Sequence, residues 1–457
     1  MASGHLRLSA GLAVAALVAA HAGRAQADAA PVSILFVGNS FTHGRYAPAL
    51  NYNAGPGDAP GNAQVHDLLC PSAPCSGVEG VAPVTPGQNP PPGSTLAQQL
   101  GYLSSNPAAQ YTEVGPFGGV AGIFLQFTKE AGLDYNVSLV AVSSATLTGY
   151  LHNTGNEAGD LPLITNPAYS HVVLQDQSFQ PLPSTITVAG QSVPTRGNPA
   201  SFQSGVNGLV NAIDAADRAA GKPNAAVTLD ETQPLASYGY TSSNPAKPIY
   251  GSSTVAAQGG NKAYAPYVGD PNPIAAMASD LHDAYVGEAA AYDAANPAGS
   301  HLDVALAGDA WVTAINSGFA QQNPFLATEA TPVDLWDSNP LDACCTTPIG
   351  YHPSQYGAYL DALTLFGQIT GIDPTTLAAE FDAGSPGYAD SAANALGISP
   401  AIAKELADAA AATVAAGNPT TIPSPVPEPA TFGLLGFGVA ATALARRRAR
   451  GHEECLP

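Results

Sequence analysis

The chain has 457 residues, 45% of them hydrophobic and only 11% charged, with 47 Gly and 41 Pro. That is enough apolar material to bury a sizeable core, which excludes global disorder. Against 14 Lys+Arg stand 35 Asp+Glu, a net charge of -21, so nucleic acid and anionic lipid, which need basic patches, are excluded as main partners. Residues 1–27 carry Arg7, an apolar run from Leu8 to Ala20 and small residues ending at Ala25-Gln26-Ala27. The run is short for a membrane span and an A-x-A site follows it, so a cleaved secretory signal peptide is expected; the alternative is a buried N-terminal helix.

Val32–Val37, Asn136–Val142, His171–Gln175, Ala225–Leu229 and Leu302–Leu306 are short apolar runs, the pattern of strands buried on both faces. Helical spacing lies between and after them. It is carried by Phe202, Val206, Leu209, Val210 and Ile213, and again by Ile274, Met277, Ala278, Leu281, Ala284 and Tyr285. Ser354 is placed to cap a further helix that Gly371 ends. Strands alternating with helices predict an α/β fold over residues 28–417: a three-layer α/β/α sandwich around a mainly parallel sheet of about five strands. Segments 51–115, 180–200 and 232–272 are rich in Pro, Gly, Asn and Ser and read as loop insertions roofing the sheet's carboxyl edge. Residues 373–417 are Ala-rich and helical in pattern, and 418–429 are a linker.

The C-terminal end has three parts in order: Val426-Pro427-Glu428-Pro429, an apolar stretch at 430–445, and Arg446-Arg447-Arg448-Ala449-Arg450. These resemble the PEP-CTERM sorting signal over 430–450 and its preceding motif. The resemblance implies transient retention in the inner membrane, with the arginines cytoplasmic, and processing by an exosortase. An ordinary C-terminal anchor is the alternative. Between the two end signals, residues 28–427 hold 8 basic and 32 acidic side chains, a net charge of -24. Cysteine use suits export: Cys70 and Cys75 bracket a Pro-rich loop and are expected to form a local disulfide. Cys344 and Cys345 are either a strained vicinal bridge or buried thiols. No Cys/His spacing matches a zinc site, and neither a metal nor a cofactor is expected.

The first strand runs into Gly38-Asn39-Ser40-Phe41-Thr42. A serine just past the first strand sits at the carboxyl edge of a parallel sheet, where a following helix N-terminus would favour negative charge. A hydroxyl is a weak nucleophile until a base takes its proton, so Ser40 alone reads equally as a turn serine. His352, in Tyr351-His352-Pro353-Ser354, precedes a helix far along the chain and can reach the same edge. Nucleophile and base then come from two loops of one fold, as acyl transfer requires.

Three blocks carry a resemblance: Ile34–Thr42 with Gly38-Asn39-Ser40, Val172-Val173-Leu174-Gln175-Asp176-Gln177-Ser178, and Gly350–Leu360 with His352. In this order they resemble the SGNH/GDSL hydrolase superfamily, in its branch with GNS at the nucleophile. The resemblance implies Ser40 as nucleophile and His352 as general base. It implies an oxyanion hole from the backbone N–H of Ser40, a second donor at or near Ser144, and Gln177 in place of the usual Asn. Ser144 replaces a usual Gly. The pattern also places Asp three residues before the histidine, where this chain has Ile349. Asp334, Asp337 and Asp342 lie upstream, with Asp342 favoured on proximity; a Ser-His dyad oriented by a backbone carbonyl and a site without catalysis are the alternatives.

Asn39, His43 and His152 are candidates to line the substrate pocket, and His43 reads equally as a surface residue. His66, His171, His282 and His301 read as structural or exposed. Trp311, Trp336 and Tyr150 are core residues or a sugar-stacking wall, and Asp230-Glu231 a solvated acidic pair or a cation holder at the sheet edge. The resulting expectation is an exported serine hydrolase acting on ester bonds, with an acylated extracellular glycan or a small ester as substrate. Its rival is a catalytically impaired scaffold that binds glycan or matrix at the surface.

Overall fold

Strand β1 (Val32–Gly38) takes the first apolar run and splits it between two cores. Ile34 and Phe36 pack with Phe124, Trp311, Tyr359 and Leu406. Leu35 and Val37 pack with Tyr150, Phe202, Leu209 and Tyr285. Alternate side chains of a strand point to opposite faces, so a continuous apolar run serves a sheet covered on both sides. The computed structural model describes residues 31–45, 48–57, 61–70, 75–76, 114–240, 265–324, 333–337 and 350–417.

The further strands are β2 (Ala54–Pro56), β3 (Val65–Asp67), β4 (Cys75–Ser76), β5 (Val114–Gly115), β6 (Tyr135–Ala141), β7 (His171–Leu174), β8 (Thr185–Val188), β9 (Gln191–Pro194), β10 (Ala226–Asp230) and β11 (Leu302–Ala305). Seven of them form one sheet in the order β11-β10-β7-β1-β6-β3-β2. Every pairing in it is parallel. The fold is the expected α/β sandwich, with seven strands where the apolar runs gave five. The two additions, β2 and β3, come from the segment read as an insertion. They have three residues each, too few to display a period of two, and β3 joins β6 through His66 and Asp67. Segment 180–200 also contains structure: β8 and β9 form an antiparallel hairpin. Ala189 and Gly190 join them with φ of 48° and 75°, the left-handed pair that a two-residue hairpin turn demands.

The main helices are α1 (Gly119–Glu130), α2 (Leu147–His152), α3 (Pro199–Ala219), α4 (Pro273–Ala295), α5 (Ala307–Asn316), α6 (Gln355–Thr370) and α7 (Pro400–Gly417). Helices α1, α5, α6 and α7 bury side chains in the core that holds Ile34 and Phe36. Helices α2 and α3 cover the other face, joined by Tyr285 and Tyr292 of α4. Ser354 caps α6 by accepting the N–H of Tyr356 and Gly357 (3.2 and 3.4 Å), and Gly371 ends it in the left-handed region. Trp311, Trp336 and Tyr150 are fully buried. The two indoles meet at 5.1 Å, and their N–H groups donate to Asp361 and to the Pro234 carbonyl. A sugar-stacking wall needs an exposed ring face, so these residues are core.

Candidate active site

The chain crosses from β6, on one side of β1, to β7 on the other. Such a reversal opens a crevice beyond the carboxyl ends of the strands, where open α/β sheets bind ligands. Gly38 is in register with Ala141, and Val37 with Leu174. Ser40 therefore follows the end of β1 by two residues, Ser144 follows β6 by three, and Gln177 follows β7 by three. Three of the sequence-derived site residues leave adjacent strands on neighbouring loops.

Residues 39–45 make one helical turn, with His43 N–H donating to the Asn39 carbonyl (3.0 Å) and Arg45 N–H to that of Ser40 (3.2 Å). The regular helix anticipated after Ser40 does not form. The turn is held from β7 instead: Gln175 Oε1 accepts both the Asn39 N–H (3.2 Å) and the Thr42 hydroxyl (2.9 Å). This close approach requires Gly38, since a Cβ there would stand 2.0 Å from Thr42 Oγ1 and 2.8 Å from Gln175 Oε1. No local signal marks Gln175, because its hydrogen bonds exist only once the loops after β1 and β7 are assembled.

Ser40 Oγ lies 2.9 Å from His352 Nε2, across 312 positions of sequence. Both are buried. The rings of Phe41 and Tyr351 flank the imidazole, with centroids 5.4 and 5.1 Å away. The Tyr351 hydroxyl is hydrogen-bonded to Ser178 Oγ, tying the histidine loop to the loop after β7. Burial pushes the Tyr351 phenol up to about 12, so it stays a neutral hydrogen-bonding group.

Ser144 has φ of 67°. The resemblance implies glycine there, and the serine keeps the left-handed backbone that glycine adopts freely, at a cost on the order of 1 kcal/mol. The loop is braced from three sides. Asn39 Nδ2 donates to the Ala145 carbonyl (3.2 Å). His43 Nε2 sits 3.1 Å from Ser143 Oγ. The Tyr150 hydroxyl donates to the Gly38 carbonyl (2.7 Å) and accepts the Val142 N–H (3.0 Å). Asn39 and His43 are thus enclosed brackets between loops: Asn39 Oδ1 accepts the Phe41 N–H (3.1 Å), and His43 is fully buried and stacked on Phe117 at 4.6 Å. His152 is exposed in the last turn of α2. Asp176 Oδ1 accepts the N–H of Leu147 (2.9 Å) and of Gln177 (2.7 Å), fixing the backbone that carries Gln177. Burial pushes the Asp176 carboxyl up to about 6, against those two N–H donors.

Around His352 the backbone forms a short antiparallel ladder. Trp336 pairs with Pro353. Asp337 N–H donates to the His352 carbonyl and Ser354 N–H to that of Leu335, each at 2.9 Å. Asp337 and His352 are therefore opposite one another, and opposite residues of an antiparallel pair share a face. Asp334 is turned to local work, its Oδ1 accepting the Trp336 N–H (3.0 Å). Asp342, Cys344, Cys345 and Ile349 lie outside the described residues. Cys70 is disulfide-bonded, and the Cys75 side chain lies outside the described residues.

The parallel sheet covered by helices is the α/β fold expected from the ordered blocks. Residues 425–448 match the PEP-CTERM protein-sorting motif. That motif marks the chain for export and for processing by an exosortase. No curated protein matches the chain. Among solved structures the chain is similar to a protein from Slackia heliotrinireducens provisionally described as an SGNH hydrolase. The two share 15% identity over 74% of this chain and 99% of that one, with a TM-score of 0.33. It is also similar to a DUF4886 family protein from Bacteroides uniformis, at 12% identity over 84% of this chain and 95% of that one, with a TM-score of 0.38. Among the described residues no helix is long and apolar enough to cross a membrane; the apolar stretch at 430–445 lies outside them.

Proposed function

We propose that the chain is an exported serine hydrolase acting on ester bonds. The observation that carries this reading is the 2.9 Å contact between Ser40 Oγ and His352 Nε2. It is nucleophile-to-base distance, inside a buried crevice at the sheet's topological switch.

In the resting site the Ser40 O–H donates to Nε2, which leaves the imidazole's own proton on Nδ1. Asp337, opposite His352 in the ladder, is the carboxylate placed to turn to that nitrogen and stabilise the imidazolium as it forms. The missing aspartate at position 349 is thereby replaced from the facing strand. Ser40 Oγ attacks the acyl carbon as its proton passes to Nε2. The carbonyl oxygen becomes an oxyanion held by the N–H of Ser40, the N–H at Ser144 and the Gln177 amide. Collapse breaks the ester C–O bond, and the departing alkoxide takes the proton from Nε2. Water then attacks the acyl-Ser40 ester, giving its proton to Nε2; the acyl C–Oγ bond breaks, Ser40 Oγ takes that proton back from Nε2, and the carboxylic acid leaves. Among esters, an O-acyl group on an extracellular polysaccharide suits an exported, strongly acidic protein, since a neutral ester on a sugar has no charge to be repelled.

The test is acetate release from O-acetylated glycans and small acetate esters by wild type and by Ser40→Ala. Release that disappears in the variant supports the reading. A well-folded wild type that hydrolyses none of these yet retains glycan in a pull-down would replace it with the binding scaffold.

A further inference from the structure

At the end of β10 the chain reads Asp230-Glu231. As a sequence this is a solvated acidic pair or a cation holder at the sheet edge; the first does not hold, because Asp230 and Glu231 are 5% and 1% exposed. The correction has a simple cause: β10 lies inside the sheet, and α5 begins directly over its end. Glu231 Oε2 accepts the Asp309 N–H in the first turn of α5, at 3.1 Å. Gly308 makes room for this approach, since a Cβ there would lie 3.0 Å from Glu231 Cδ and 2.7 Å from the Thr232 carbonyl oxygen. The other oxygen, Glu231 Oε1, has no hydrogen-bond partner. From α4, His282 Nδ1 comes within 2.8 Å of Asp309 Oδ2. One donor atom each from Glu231, His282 and Asp309 lies within 4.8 Å of the other two.

Without a further ligand this arrangement is poor in energy. Burial, then the charge of Asp309, pushes the Glu231 carboxyl well up, against the N–H groups of Asp309 and Gly308. As an anion it is an uncompensated buried charge; as an acid it has a hydroxyl in need of an acceptor. A helix cap alone would use one oxygen and would need neither His282 nor Asp309 alongside. A cation satisfies the unpartnered oxygen and both negative charges together.

We propose that Glu231, His282 and Asp309 bind a divalent first-row transition cation, Zn²⁺ or Mn²⁺, through one imidazole nitrogen and two carboxylate oxygens. The nitrogen argues against Ca²⁺ and Mg²⁺, which take oxygen ligands. The three side chains come from the end of β10, from α4 and from the first turn of α5, so the ion pins these elements together. From Glu231 the chain continues to Pro234, whose carbonyl accepts the Trp336 indole N–H (2.8 Å), and to Ser237, whose N–H reaches the Gly350 carbonyl (3.2 Å). The ion thus buttresses the loops that carry His352. The site stands whether or not Ser40 and His352 hydrolyse an ester.

The test is a titration of the EDTA-stripped full chain with ZnCl2 and, separately, MnCl2, with the bound metal counted and Tm followed. The expected result is one Zn²⁺ or Mn²⁺ per chain and a rise in Tm. Binding should weaken at least about tenfold in Glu231→Gln and in His282→Ala. His282 is half-exposed, so its removal leaves the fold in place. His301→Ala, which disturbs the exposed cluster with Asp293 and Asp303, should bind as wild type does. Cobalt gives a second readout: a visible d–d band in wild type that His282→Ala loses. Failure to bind either metal, or binding that survives both ligand variants, overturns the proposal.

Discussion

The loops after β6, β1 and β7 and the loop after β10 close the same edge of one parallel sheet, yet they are built from different chemistry. Around Ser40 many of the bonds between loops are made by neutral groups: Gln175 to Asn39 and Thr42, Asn39 to Ala145, Tyr150 to Gly38. Around Glu231 the groups are acids. Asp309 stands beside it, and behind it burial and the charge of Asp361 push Asp230 well up, while burial, against the Trp311 indole N–H, pushes Asp361 up to about 7. The first arrangement suits a proton passing between a hydroxyl and an imidazole held in fixed positions. The second holds negative charge that only protons or a cation can balance. A sheet edge therefore sets where side chains gather, while the local supply of donors sets what they can do.

Separating the two regions begins with the largest expected effect. Ser40→Ala should lower kcat for ester hydrolysis by at least about 10³-fold while metal binding at Glu231 stays unchanged. Loss of both together would mean that the two regions act as one site. Asp337→Asn should lower kcat by about 10²–10⁴-fold by leaving the imidazole in the wrong tautomer. Asp342→Asn should leave kcat at the wild-type level, and the reverse pattern in steady-state kinetics would move the carboxylate to Asp342. Gln177→Ala should cost about 10²-fold in kcat with KM little changed, as expected for a donor used only in the transition state. An equal rise in KM would make Gln177 a substrate-binding residue.

The smallest effect is on stability. Burial pushes the Asp67 and Asp176 carboxyls up to about 6, above the ordinary value near 4. The folded chain holds these protons more tightly than the unfolded one. Their contribution is therefore full below about pH 4 and is lost as pH rises through about 6, on the order of 2 kcal/mol for each group. The net charge of -21 adds self-repulsion with the same sign. Tm measured by calorimetry should fall between pH 4 and pH 7, and Asp176→Asn should flatten that slope. A Tm that rises over this range would show that both carboxyls are anionic in the folded chain.

Strands β1, β6, β7, β10 and β11 were legible because each is a continuous apolar run, found within a residue or two of its predicted ends. Strands β2 and β3 were not, because three residues carry no period and β2 joins the sheet only through β3, whose own partner β6 is remote in sequence. Ser40 and His352 were legible as local motifs, and Gln177 as a substitution within one. Asp337 could not be singled out, since its place opposite His352 is set by the Trp336–Pro353 ladder, and sequence distance from the histidine is no guide to a facing strand. The Asp230-Glu231 pair was read with the wrong environment, because burial there comes from α5, a helix whose opening Ala307-Gly308 gave no periodic signal. For the same reason no metal spacing was visible: the three side chains reside on three separate elements. Asn39 and His43 were placed at the right loop, but their contacts with Ala145 and Ser143 depend on the loop after β6, which no local motif around Ser40 displays.

The central claim is that Ser40 is made nucleophilic by His352, and covalent labelling tests it most directly. The chain is treated with a fluorophosphonate, digested, and the modified peptide located by mass spectrometry. The account predicts one adduct, on Ser40, lost in Ser40→Ala and strongly slowed in His352→Ala. A folded wild type that remains unlabelled, or an adduct on another serine that persists in both variants, would contradict it.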